Sequence, residues 1–211
     1  MPFLMTFGDS NTHGTPPIVT RGAYHRFGTG VRWPQVCFRA LGVGWELAEE
    51  GLPGRTAQFA DPVMGAHMNG QDGLKIALQS HGPVDVLTLM LGTNDVKARF
   101  SATPEAVTAG VAGLVDLALG LEMQARHGGV KLLLICPPPV VETGPLAGEF
   151  LGAAARSRGL AVRYQDLAQA RGIGFLDAGR IIATSPQDGI HFDPEAHVAL
   201  GLAVADAVAR L

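Results

Sequence analysis

Two runs, Asp85-Val86-Leu87-Thr88-Leu89-Met90-Leu91 and Val130-Lys131-Leu132-Leu133-Leu134-Ile135-Cys136, are apolar through most of their length. A strand with one face in water alternates apolar and polar residues. Runs without that alternation belong to strands buried on both faces, the state of strands in a parallel sheet covered by helices. Three further runs read as strands: residues 2–7, Trp45-Glu46-Leu47-Ala48-Glu49 and Gly174-Phe175-Leu176. Helical patterns fill the intervals near 33–42, 71–81, 103–125, 148–171 (with Gly159 as a break) and 194–210. The last opens with Asp193 as N-cap and Pro194 at the first helical position. This alternation predicts an α/β fold, a three-layer α/β/α sandwich around a central five-stranded parallel sheet. A chain of 211 residues suits a single domain, 1–211, with a sizeable core. No repeat or linker divides it.

Composition removes several classes of function. The chain is 47% hydrophobic and 17% charged, so it is ordered rather than disordered. A net charge of −3 leaves no basic excess to neutralise phosphates, which argues against a nucleic-acid or anionic-membrane partner. No uninterrupted apolar run approaches membrane length. The N-terminal apolar stretch has no basic residues before it and breaks at Gly8-Asp9, the pattern of a strand rather than a signal peptide. Cys37 and Cys136 give no disulfide framework and read as small buried hydrophobes. A cytoplasmic protein is the expectation. His25, His67, His81, His127 and His197 read as surface or loop residues, and Trp33 and Trp45 as packing residues.

In an open α/β sheet, ligands bind beyond the carboxyl ends of the strands. The polar residues of this chain collect at those ends. Ser10 follows the first strand, with Gly8 there to permit a sharp turn, and Gly51-Leu52-Pro53-Gly54-Arg55-Thr56 follows the second. The third strand runs into Gly92-Thr93-Asn94-Asp95, the fourth into Pro137-Pro138-Pro139, and the fifth leads on to Asp188-Gly189-Ile190-His191. Ser10, His191 and Asp188 are the residue types of a hydroxyl nucleophile, its base and the orienter of that base. Asn94 reads either as an Asx turn closing a strand or as a side-chain amide donor to a developing oxyanion. Gly54 reads as a turn glycine or as a residue aiming its backbone N–H into the site. Two long connections, roughly 14–32 and 51–70, exceed simple joins and are expected to carry function or an interface.

Other chemistries fit less well. Ser10-Asn11-Thr12-His13-Gly14-Thr15 after a first strand is similar to a flavodoxin-type phosphate loop for FMN. An electron carrier would give Asn94 and the Asp188/His191 pair no role, and Pro16-Pro17 disfavours a helix starting inside that loop. No lysine follows Gly14 as a Walker-type site requires, no His-Glu-x-x-His occurs, and the seven histidines have no ligand spacing. Three prolines follow Cys136 where an activating helix N-terminus would be needed.

With these residues placed, the chain resembles the SGNH hydrolase superfamily of GDSL-type esterases and lipases. Gly8-Asp9-Ser10, Gly54, Gly92-Thr93-Asn94-Asp95 and Asp188-x-x-His191 fall in the order of that family's four blocks and span nearly the whole chain. Glu49-Glu50-Gly51-Leu52, Met90 to Lys97, Phe175 to Gly179 and Asp188 to Phe192 are similar to its bacterial arylesterase/acyltransferase branch. The resemblance implies the flavodoxin-like fold of that superfamily. It also implies a serine esterase for short acyl esters of small molecules, with acyl transfer or perhydrolysis in some members, no cofactor or metal, and homo-oligomers, some of them octamers. Carbohydrate acetylesterase, thioesterase and lysophospholipase activities occur in the same superfamily. It implies an oxyanion hole of the Ser10 and Gly54 N–H groups and Asn94. Asn11 stands where the family name implies leucine, and His13 where close relatives often carry tryptophan. Asn11, His13, Pro53 and Phe192 are expected to shape the substrate pocket, with Phe100 and prolines 137–139 framing its mouth.

Overall fold

A computed structural model describes residues 1–211. Five strands, β1 (Phe3–Gly8), β2 (Glu46–Gly51), β3 (Val86–Met90), β4 (Lys131–Cys136) and β5 (Gly174–Asp177), pair in parallel in the order β2-β1-β3-β4-β5. This is the flavodoxin-like order, with its switch point between β1 and β3. The chain thus leaves β1 on one side and β3 on the other side of a crevice, and both exits carry site residues.

Side chains alternate across the sheet with period two, and each set meets its own helix layer. Leu4, Val86, Met90, Leu133 and Ile135 pack with Trp33 and Cys37 of α2 (Trp33–Leu41) and Leu200 and Val204 of α8 (Pro194–Val208). Met5, Phe7, Leu87, Leu89, Leu132 and Leu134 meet the opposite layer. That layer contains α3 (Gly70–Ser80), α4 (Pro104–Leu119) and α7 (Leu160–Arg171). β3 is buried on both faces throughout, and β4 everywhere except Lys131, as their composition requires. Each fully buried leucine or isoleucine contributes about 1.5–3 kcal/mol.

Several boundaries differ from the sequence expectations. The pattern over 103–125 is two helices, α4 and α5 (Leu121–His127), bent by 51°. Gly120, extended and outside helical geometry, ends the first. No single helix is long and apolar enough to cross a membrane. The pattern over 148–171 breaks at Gly159 as expected, into α6 (Ala153–Arg158) and α7, but its start is a separate 3-10 turn, Ala147–Phe150, and α-helix begins only after Gly152. One helical turn, α1 (Ser10–His13), does start inside the loop after β1, because Asp9 caps it and left-handed Gly14 ends it before Pro16. His127 and His197, expected at the surface, are buried: His127 Nδ1 accepts from the Val84 N–H and His197 Nδ1 from the Trp33 N–H. Burial pushes the His197 imidazole down to about 4, with His191 and Arg32 adding repulsion.

Candidate active site

The site grows from the end of β1. The chain turns sharply after Gly8, as expected, without a positive φ there. The Gly8 hydrogen makes space instead: a Cβ would lie 2.1 Å from Thr12 Oγ1 and 2.8 Å from the Met90 carbonyl. The chain can therefore turn straight into α1, where the Asp9 carboxylate accepts the Asn11 N–H at 2.9 Å. Ser10 becomes the first residue of that turn, so its N–H has no intrahelical acceptor.

Ser10 Oγ lies 3.1 Å from His191 Nε2, and His191 Nδ1 lies 2.6 Å from Asp188 Oδ2. All three residues are buried, with Ser10 6% exposed. The Asp188 carboxylate is held on every side. Oδ1 accepts the Ile190 and His191 N–H groups at 3.0 Å, and Oδ2 accepts the Ile18 N–H at 2.7 Å. Burial works against its ionisation, yet the His191 bond and these N–H donors outweigh it and hold its pKa below the ordinary carboxylate value. An anionic carboxylate there fixes the proton on Nδ1 and leaves Nε2 free to accept from a hydroxyl, the requirement for general-base activation of a serine.

Two further groups meet Ser10. Gly54 has φ +93°, and a Cβ on it would lie 2.4 Å from Met64 Cε. A side chain at 54 is thus excluded by conformation and by space. The Gly54 N–H makes no turn or loop hydrogen bond. Arg55 pins this turn to β1: its guanidinium donates to the Gly8 carbonyl at 3.0 Å and lies 4.0 Å from the Phe7 ring centre, while Leu52 N–H donates to Gly8 O at 3.1 Å. Asn94, at the exit of β3, donates from Nδ2 to the Arg55 carbonyl at 3.1 Å. The other contact of Nδ2, to Asp9 Oδ2, is long at 3.4 Å, so one amide N–H is only loosely engaged. Two buried carboxylates, Asp9 and Asp95, the residue after Asn94, belong to this region. Burial raises Asp9 to about 6 against the Asn11 N–H bond. Burial also raises Asp95 to about 7, against its bonds from Ala57 N–H, with Asp9 repulsion reinforcing it.

These groups open onto a cavity of about 200 Å³, below the roughly 300–1,000 Å³ of sites for drug-sized ligands. Ser10, Gly54, Asn94 and His191 line it, and so does Pro53, as expected. Other expectations are corrected. Asn11 points its amide into the protein, to the Ile190 carbonyl at 3.1 Å, and so ties the nucleophile turn to the His191 loop. Phe192 is fully buried against His197 and the α2/α8 layer, while its neighbours Ile190 and His191 take the cavity. His13 acts at one remove, with Nε2 3.1 Å from the hydroxyl of Tyr24, which does line the cavity. Phe100 stacks on Phe59 at 4.8 Å instead of framing the mouth, and Pro137 and Pro139 border a different hollow. The remaining walls, including Ile18, Tyr24, Met64, Lys97, Leu146, Glu149 and Phe150, come from loops whose approach no local pattern announces. Burial pushes the Cys37 thiol up to about 12 and the Cys136 thiol higher still, in keeping with a packing role. No three His, Cys, Asp or Glu side chains converge as a metal site would require.

The chain matches the GDSL-like Lipase/Acylhydrolase family over residues 6–199. Among solved structures it is similar to Est24, a carbohydrate acetylesterase from Sinorhizobium meliloti, with 35% identity and a TM-score of 0.94 over 100% of this chain and 99% of that one. The native aryl esterase of M. smegmatis is 35% identical, with a TM-score of 0.93 and all of both chains covered. A second S. meliloti carbohydrate acetylesterase family member is 33% identical, with a TM-score of 0.91 over 100% of this chain and 98% of that chain. No protein among curated sequences matches significantly. With its sheet order, its serine-centred cavity and these matches, the chain belongs to the GDSL-like lipase/acylhydrolase family, in its arylesterase-like branch, and is a carboxylic ester hydrolase of the serine type.

Proposed function

We propose that the chain hydrolyses short acyl esters, acetyl esters foremost, with Ser10 as nucleophile, His191 as general base and acid, and Asp188 as orienter. The observation that carries this reading is the unbroken Ser10–His191–Asp188 relay, 3.1 and 2.6 Å, opening into a small apolar-walled cavity. His191 Nε2 takes the proton of Ser10 Oγ as the oxygen attacks the ester carbonyl. The resulting oxyanion is held by the N–H groups of Ser10 and Gly54 and by the loosely engaged N–H of Asn94. His191 returns the proton to the departing alcohol, leaving the acyl group on Ser10. Water, deprotonated by the same imidazole, then releases the acid; an alcohol bound in its place would accept the acyl group. The acetylesterase and aryl esterase relatives support the acyl and substrate class. The reading includes self-association through the connections 14–32 and 51–70, which leave Val19 and Val63 exposed.

Two results are expected. On 4-nitrophenyl esters from C2 to C8, kcat/KM is highest at acetyl or propionyl and falls toward octanoyl, since the cavity that Met64, Leu146 and Phe150 line holds only about 200 Å³. A steady rise to C8 would defeat the short-acyl reading. Asn94→Ala lowers kcat about 10²–10³-fold with little change in KM, because the bond forms only in the transition state. A raised KM with kcat unchanged would make Asn94 a ground-state binder.

A further inference from the structure

Lys97 is an anomaly in an ester-binding cavity. It is 5% exposed and lines the same cavity as Ser10 and His191. Its ammonium has three donors, yet its one hydrogen-bond contact is Met64 Sδ at 3.9 Å, a weak acceptor. The Phe150 ring, 5.6 Å from Nζ, gives some cation–π stabilisation but accepts no strong hydrogen bond.

The carboxylates around it are committed elsewhere. Asp61 pairs with Arg99 at 3.2 Å and accepts the Val63 and Met64 N–H groups. Glu149 pairs with Arg99 at 3.2 Å and with Arg21. Arg99 and Arg21 thus occupy both of these carboxylates, Asp9 acts on Lys97 only from beyond ion-pair distance, and Lys97 is the one of the three cations that lines the cavity, without an ion pair. Burial and Arg99 push the ammonium below its ordinary pKa, against partial support from Glu149, Asp61 and Asp9. A buried ammonium without a strong acceptor is unfavourable, and it is relieved when an anionic oxygen arrives. The apolar residues next to it, Met64 and Phe150, with Leu146 in the same cavity wall, suit the short carbon stem that would carry such an oxygen to it.

We propose that Lys97 recognises a carboxylate on the substrate, so that the enzyme prefers short esters bearing an anionic group over their neutral counterparts. This rests on the reading of the cavity as the ester site. The carboxylate can reside on the acyl half or on the alcohol half, and two matched pairs of compounds distinguish them. Monoethyl and diethyl succinate, followed by ethanol release, test the acyl side. 4-Acetoxybenzoate and its methyl ester, followed by acetate release, test the alcohol side.

In one pair the wild-type enzyme is expected to favour the carboxylate member by at least about tenfold in kcat/KM. Lys97→Met should lower that ratio at least tenfold, mainly through KM of the anionic ester, and Lys97→Arg should retain most of it. The wild-type ratio needs no variant, so a misfolded Lys97→Met protein leaves the test intact. Neutral esters favoured in both pairs, or an equal loss on both members in Lys97→Met, would overturn the inference while Ser10-dependent cleavage of 4-nitrophenyl acetate upheld the esterase reading. Absence of cleavage of all five compounds would overturn both.

Discussion

Ser10→Ala is expected to lower kcat/KM for 4-nitrophenyl acetate by about 10⁵–10⁶-fold, the scale seen when a serine hydrolase loses its nucleophile. The fold should survive almost unchanged. Ser10 Oγ has His191 Nε2 as its hydrogen-bond partner, and a lost bond of that kind costs about 0.5–1.5 kcal/mol. The backbone N–H groups around the site do not depend on the hydroxyl, so the cavity should keep its shape. Loss of activity without loss of Tm therefore separates chemistry from structure. A serine-directed organophosphonate should add one equivalent to the wild-type protein, located on Ser10 by mass spectrometry, and none to the variant. Wild-type turnover in the alanine variant, or an adduct on another residue, would remove Ser10 from its role.

Asp188→Asn is expected to lower kcat by about 10⁴-fold, because the amide reverses the hydrogen-bond logic of the relay. The asparagine oxygen can still accept the Ile190 and His191 N–H groups at the Oδ1 position. An NH₂ then occupies the Oδ2 position, donates to His191 Nδ1 and forces the proton onto Nε2. That nitrogen can no longer take the Ser10 proton. The same NH₂ faces the Ile18 N–H, which now sits 2.7 Å from Oδ2, so one buried donor loses its acceptor. A stability loss of about 1–3 kcal/mol should accompany the kinetic defect.

The pH dependence gives a second readout for this variant. The Asp188 pKa is lower in the folded protein than in the unfolded chain. Its stabilisation is therefore present above the ordinary carboxylate value and is lost as pH falls through the lower, folded value. Asp9 and Asp95, raised to about 6 and 7, act with the opposite sign and gain stability as pH falls through those values. The difference between wild type and Asp188→Asn cancels their part. Urea midpoints measured from pH 7 to pH 3 should converge at the acid end. A constant gap across that range would mean that Asp188 is not ionised in the native state.

The sheet was legible because each strand carries its own record of burial. Val86 to Met90, Thr88 apart, and Leu132 to Cys136 are apolar on both faces, the pattern of inner parallel strands covered by helices. The catalytic candidates were legible for a related reason. In a parallel sheet every strand ends on the same rim, so Ser10, Gly54, Asn94 and Asp188/His191 could be brought together from topology alone. Nothing comparable marks the cavity walls. Tyr24, Met64, Lys97 and Phe150 lie on loops whose positions depend on contacts far away in the chain, such as Ile18 N–H on Asp188 and Arg99 between Asp61 and Glu149.

The sequence alone therefore determined the layer architecture, the rim and the residue types that meet on it, since periodicity and strand ends are local properties of the chain. Only the tertiary structure decided that Asn11 ties two loops together, that Phe192 is core, that His13 works through Tyr24, and that Lys97 is left without an ion pair inside the cavity. The direction of a loop side chain, and whether a charge finds a partner, depend on segments distant in sequence. Those relations exist only once the chain has closed on itself.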